Sequence, residues 1–196
     1  MDAVEELHLK TRSSKAWIET VLNNFDGFLK DHADCERKAS SMAMSFVAKY
    51  PDRKEIIPEL IHTGIEELEH FRLVYRIMQQ RNLTLNHSIG EDQYVKQLLK
   101  HCHSNREKRF RDRLIIASIV ENRGFERFKL VSDYIQDEEL ASFYRMIYTS
   151  EAKHGNSFAK MAALYFPEEE VVERWNELEA IEGAILESLP LKAALH

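Results

Sequence analysis

The sequence predicts an all-α fold: a four-helix bundle with a long crossover between the second and third core helices and an additional C-terminal helix. Three observations predict it. Apolar residues recur at helical spacing through long segments. Glycine and proline are scarce, at 6 and 4 in 196 residues. Four of the segments each carry a glutamate in the middle of an otherwise apolar face. The length suits one domain, residues 1–196, with one hydrophobic core.

Helical periodicity runs through residues 15–49, 54–81, 106–135, 137–165 and 168–188. Pro51 closes the first segment, and a polar run over 82–90 closes the second. The stretch 82–105 is the crossover, with a short helix expected at 91–101. Pro167 precedes Glu168, Glu169 and Glu170, an acidic first turn that suits the positive end of a helix.

Steps of four and three residues stay on one helical face. In the first segment they meet Leu29, His32, Glu36, Ala43 and Phe46, and in the second Leu60, Gly64, Glu67, Val74 and Met78, with His70 a turn beyond Glu67. The third gives Leu114, Ala117, Glu121, Gly124 and Phe128, and the fourth Tyr144, Ile147, Glu151, His154 and Phe158. An unpaired carboxylate taken out of water costs several kcal/mol. Four such acids near mid-helix therefore point to convergence on cations.

Glu-x-x-His alone is weak evidence, since 24 Glu and 9 His give about one match by chance. Four matches occur. Glu5 with His8 and Glu59 with His62 sit on polar stretches and read as surface. Glu67 with His70 and Glu151 with His154 lie on seams, 31 and 30 residues after Glu36 and Glu121 respectively. The chain thus reads as two helical hairpins with the same ligand pattern. One Glu on each of two helices and Glu-x-x-His on each of the others is the ligand set of ferritin-like di-iron or di-manganese proteins. Carboxylates bridge and neutralise two divalent ions, and one imidazole per metal suits iron while leaving positions open for dioxygen.

Glu126 competes with Glu121, but Asn122 and Lys129 share its side of the helix, so Glu121 is the better ligand. His32 reads as a partner of the ligands or as a partly exposed polar residue, the latter slightly favoured. His101, Cys102 and His103 resemble a fragment of a zinc site with nothing near in sequence to complete it, and read as loop.

Net charge is -6, from 27 basic and 33 acidic residues, which argues against a general RNA-binding protein and leaves room for a local basic patch. No apolar run is long enough to span a bilayer, and MDAVEELHLK lacks the features of a signal peptide, so a cytoplasmic protein without membrane contact is expected. Cys35 and Cys102 are expected as free thiols.

These motifs resemble those of the tRNA 2-methylthio-N(6)-isopentenyladenosine hydroxylases, the MiaE family. The resemblance covers most of the chain. It is carried by Asp31 to Ala39 around Glu36, by Glu67-Leu68-Glu69-His70-Phe71, by Ser150-Glu151-Ala152-Lys153-His154, and by Glu121-Asn122-Arg123-Gly124-Phe125-Glu126-Arg127-Phe128. The last is similar to the family's Glu-Ala-Arg-Ser-Cys-Glu-Arg-Phe and departs from it at Asn122, Gly124 and Phe125. The resemblance implies a non-haem di-iron monooxygenase with Glu36, Glu67, His70, Glu121, Glu151 and His154 on two iron ions. It also implies dioxygen as co-substrate, tRNA as substrate, and a reductase or ferredoxin-like protein as electron donor. Arg106, Arg109 and Arg113 share one helical face, with Lys108 and Arg111 beside them, and are the candidate grip on tRNA phosphates. A solvated face balanced by Glu107 and Asp112 is the alternative. Arg123 and Arg127 are candidate substrate contacts or partners of the ligand carboxylates.

Rival readings share the six ligands: a ferroxidase, a peroxide-reducing protein, or a manganese catalase, manganese being the less favoured metal. A non-catalytic helical binding module stands outside the enzymes. The chain is expected to be a monomer or a weak homodimer.

Overall fold

The computed structural model describes residues 3–152 and 155–196, and every regular element among them is an α-helix. In order these are α1 (Lys15–Asn23), α2 (Phe25–Lys49), α3 (Ile57–Gln80), α4 (Gln93–Leu99), α5 (Arg106–Tyr134), α6 (Glu138–Glu151), α7 (Ser157–Ala163) and α8 (Glu168–Ser188). Among the described residues no helix is long and apolar enough to cross a membrane. The chain divides into two compact units. One spans Glu19–Gly90 with Lys192–Leu195, and the other holds the residues up to Ile18, Glu91–Leu191 and His196.

In the first unit α2 packs along α3. The expected helix over 15–49 is broken at Asn24, whose backbone leaves the helical region at φ -141° while its side chain accepts the Gly27 amide. α2 stops at Tyr50, next to Pro51. α3 ends where Asn82 takes a left-handed φ of 55°, a conformation asparagine tolerates, and the Leu83 amide reaches back to the Met78 carbonyl at 2.8 Å. The seam residues Leu29, Ala43 and Phe46 of α2 and Leu60, Val74 and Met78 of α3 are buried, and the Ser40 hydroxyl donates to the Gly64 carbonyl at 2.8 Å.

In the second unit α5 is the spine against which α6, α7 and α8 pack, with α4 lying on α5 and α8. Asp92, Asn105 and Asp137 cap α4, α5 and α6 through side-chain oxygens. The segment expected as one helix over 137–165 is two, α6 and α7. Polar side chains of α5 take up backbone groups at the break. The Ser118 hydroxyl accepts the Ala159 amide at 2.8 Å, and the Asn122 side chain donates to the Gly155 carbonyl at 2.7 Å and to the Ser118 carbonyl at 2.9 Å. The N-terminal segment is tied to the same unit: the Lys10 amide donates to Glu179, Ser13 donates to Glu126, and Arg123 donates to the Thr11 carbonyl.

Candidate metal centre

Glu36 lies in the middle of α2, and Glu67 and His70 in the middle of α3, all three on the seam and buried. Their ligand atoms lie within 4.8 Å of one another. His70 Nδ1 is 3.8 Å from Oε2 of Glu36 and 3.8 Å from Oε2 of Glu67. That is too long for a hydrogen bond. It is a fitting span for a shared cation, because two N or O donors each about 2.1 Å from one ion lie at most about 4.2 Å apart. Two carboxylates and one imidazole are also the right chemistry for iron.

His32 corrects the expectation of a partly exposed residue. It is fully enclosed, and its Nε2 lies 2.5 Å from Glu36 Oε1, one turn along α2. With Oε1 held by the ring, the other carboxylate oxygen of Glu36 is the one facing His70. Asp34, also buried, is occupied by Arg37 and by the Asn86 amide at 2.8 Å.

In the second unit Glu121 is buried on α5 and Glu151 is the buried last residue of α6. The two helices pack together, so this hairpin repeats the placement of one acid per helix. His154 lies outside the described residues. Phe128, Tyr144 and Ile147, on the same seams, are buried, and the first two rings stand 5.8 Å apart.

Glu126 is as buried as Glu121 but committed elsewhere. Its oxygens accept the Ser13 amide and hydroxyl at 2.7 Å each and Arg123 at 2.8 Å. Arg123 corrects the expectation of a substrate contact. It is fully enclosed and donates to both oxygens of Glu182 at 2.9 Å, to Glu126 and to the Thr11 carbonyl. Burial opposes its charge, yet the Glu182 carboxylate holds its pKa above the ordinary value. Arg127 is buried too, its guanidinium 4.6 Å from the Trp17 ring and donating to Ser13 Oγ at 3.0 Å. Burial, with repulsion from Arg123, pushes it down to about 10, which leaves it charged at neutral pH. Both arginines serve the fold around α5. Sequence reasoning missed the Arg123 partner Glu182, whose place among Leu178, Ile181 and Ile185 on one face of the last helix was the available signal.

The surface readings hold for Glu5, His8, Glu59 and His62, which are exposed. Cys35 and Cys102 are free thiols, and His101, Cys102 and His103 lie between α4 and α5. Of the candidate tRNA residues, Arg106 and Arg109 are exposed and Arg113 is half-buried. Arg111 drops out, being buried against Asp112 and Glu170.

The family model described as tRNA-(MS2IO6A)-hydroxylase (MiaE) matches residues 2–196. A tRNA 2-(methylsulfanyl)-N(6)-isopentenyladenosine(37) hydroxylase of Pseudomonas putida is 30% identical, over 92% of this chain and 87% of its own. A protein of the same description from Salmonella typhimurium is also 30% identical, over 80% of this chain and 74% of its own. Among solved structures, a Synechococcus protein with aldehyde deformylating oxygenase activity superposes with a TM-score of 0.90 at 27% identity, covering 95% of this chain and 92% of that one.

Proposed function

The chain belongs to the MiaE family and has the ferritin-like four-helix bundle fold, and on that premise we propose that it is a di-iron monooxygenase acting on tRNA. It hydroxylates the isopentenyl group of 2-methylthio-N(6)-isopentenyladenosine next to the anticodon. The observation that carries this reading is the buried set Glu36, Glu67 and His70, two acids and an imidazole at a spacing suited to a cation. Glu121 and Glu151, with His154, repeat the pattern in sequence. These six residues would hold two irons.

A di-iron pair held there would supply dioxygen activation: with two electrons from a reductase or ferredoxin-like partner, one oxygen atom would enter a substrate C–H bond and the other would leave as water. The chain's residues prepare the setting. His32 fixes one oxygen of Glu36, which leaves the other oxygen to be offered to a metal. Phe128 and Ile147 line the buried seams with hydrocarbon and keep water out. The carboxylates and imidazoles supply the negative charge and the donor atoms that two divalent ions require.

The test is metal content followed by product. Near two irons per chain, lost in Glu36→Ala, together with a nucleoside one oxygen atom heavier in digests of tRNA treated with enzyme, reductant and dioxygen, is the expected result. Two manganese ions would redirect the reading to catalase chemistry. Absence of metal after anaerobic ferrous reconstitution would leave a helical binding module.

A further inference from the structure

The end of α4, the loop over 100–105 and the first two turns of α5 form a corner whose charge opposes that of the whole chain. Residues 96–113 carry seven basic side chains and two acidic ones, in a protein of net charge -6. Three bases are internally engaged or balanced: Arg111 with Asp112 and Glu170, Lys96 with Glu91 at 2.7 Å, and Arg106 beside Glu107 at 3.8 Å. One of the two acids, Asp112, is fully buried under His103, Arg111 and Arg174. Lys100, Lys108 and Arg109 are exposed and have no carboxylate partner among the described residues.

Their placement works against the helix that bears them. The N-terminal end of a helix carries partial positive charge, so fold stability favours acids there. α6 and α8 follow this rule with Glu138 and Glu139 and with Glu168, Glu169 and Glu170. α5 does the reverse, opening with Arg106, Lys108 and Arg109 around a single Glu107. Bases held where they weaken their own helix point to an anionic partner that uses them.

That partner is an RNA backbone. A docking face for an acidic protein would carry apolar anchors at its centre. None of the exposed large apolar side chains falls between 96 and 113; the exposed residues here are Lys100, His101, His103, Arg106, Lys108 and Arg109 with small polar neighbours and Glu107. A surface with charge and hydrogen-bond donors but no apolar centre matches phosphate contact, which positions a nucleic acid without reading its bases.

We propose that this corner, with Lys100, Lys108 and Arg109 beside Arg106 and Arg113, grips the phosphate backbone of the tRNA substrate. The proposal rests on the tRNA hydroxylase reading and adds the docking surface to it. The experiment is a salt titration of binding to an unmodified tRNA transcript. It compares wild type, Lys100→Gln/Lys108→Gln/Arg109→Gln, and a Lys54→Gln/Lys192→Gln control that removes two exposed lysines elsewhere. Removing one phosphate-neutralising base makes the plot of log affinity against log salt shallower by about one unit. The triple variant should bind at least about ten-fold more weakly at low salt, with a slope shallower by about two to three, while the control stays near wild type. Its melting temperature should equal or exceed that of wild type, because bases have left a helix N-terminus, and its iron content should be unchanged. Unaltered affinity and slope would overturn the proposal. So would unaltered tRNA binding with slowed reduction by the electron-donor protein, which would assign the corner to that protein. Failure of the wild type to bind tRNA would count against the hydroxylase reading itself, and is read before any variant.

Discussion

A carboxylate that is to hold a cation needs one oxygen kept still and the other turned to the metal, and the contact of His32 with Glu36 at 2.5 Å supplies the first condition. Residues behind metal ligands typically contribute about 10- to 100-fold in metal affinity. His32→Ala should therefore weaken ferrous or cobaltous ion binding by that order, measured by titration of the apoprotein. His32→Gln, whose amide can still donate to Glu36, should recover part of it. Equal affinity in all three proteins would reduce His32 to packing. Arg123 poses the opposite question, that of a buried charge fully paired. Arg123→Met leaves Glu182 and Glu126 buried without their cation, and breaking such a pair costs about 3–5 kcal/mol. Urea unfolding should show a loss of that order, partly restored by adding Glu182→Gln, which removes the stranded charge. Loss of the same size in the double variant would mean that shape, not charge, is what Arg123 contributes.

The long helices and the buried seam glutamates were legible because burial on a seam imposes a period on the sequence, and a glutamate within that period stands out. What interrupts or covers a helix has no period. Asn24 breaks 15–49 through a local side-chain cap, and the split of 137–165 relies on Ser118 and Asn122 reaching across from α5. The run Gly155-Asn156-Ser157 was the only local hint of that split. Arg123 and Arg127 lay off the seam of α5 and so read as substrate contacts or partners of the ligand carboxylates, but α8 and the N-terminal segment cover that side, which the pattern of a single helix cannot foretell. Asn122→Ala should accordingly raise amide exchange over 155–159 and lower stability by about 1–3 kcal/mol, the order for stranding a buried hydrogen-bonding group. Unchanged exchange there would show that the break holds itself. Asp112 ties the loop after α4 and the side of α8 to the start of α5 through His103 and Arg174. Burial opposes its charge, but these donors outweigh it and hold the carboxyl below its ordinary value. A carboxylate whose folded pKa is depressed stabilises the fold fully above its unfolded pKa, near 4, and loses that contribution as pH falls through the folded value. Wild type should thus lose stability on acidification below about pH 4 more steeply than Asp112→Asn, which starts lower and stays flatter. Parallel acid limbs would remove Asp112 from that account.

At the scale of the whole molecule, a ligand that binds only the folded chain appears as stability. On the proposed di-iron reading the acids and histidines form a metal site only in the folded protein, so iron binding and folding would be linked. With free ferrous ion at 100 times its dissociation constant the fold gains about 2.7 kcal/mol. For a chain of about this size each kcal/mol moves the melting temperature by about 2–4 °C. Anaerobic addition of ferrous ion to chelator-treated protein should therefore raise the midpoint by about 5–11 °C. The apoprotein pays for this readiness, since Glu36 and Glu67 bring two carboxylates together in a buried place. Glu36→Ala removes one of those charges. Relief of that charge is offset by the lost contact with His32, so the apo midpoint alone does not discriminate, but Glu36→Ala should fail to rise on adding iron. That response separates a metal site from an ordinary core. If Glu36 merely completed a polar network, its removal would leave the response to iron as it was. A scan of both apoproteins with and without ferrous ion decides between the two.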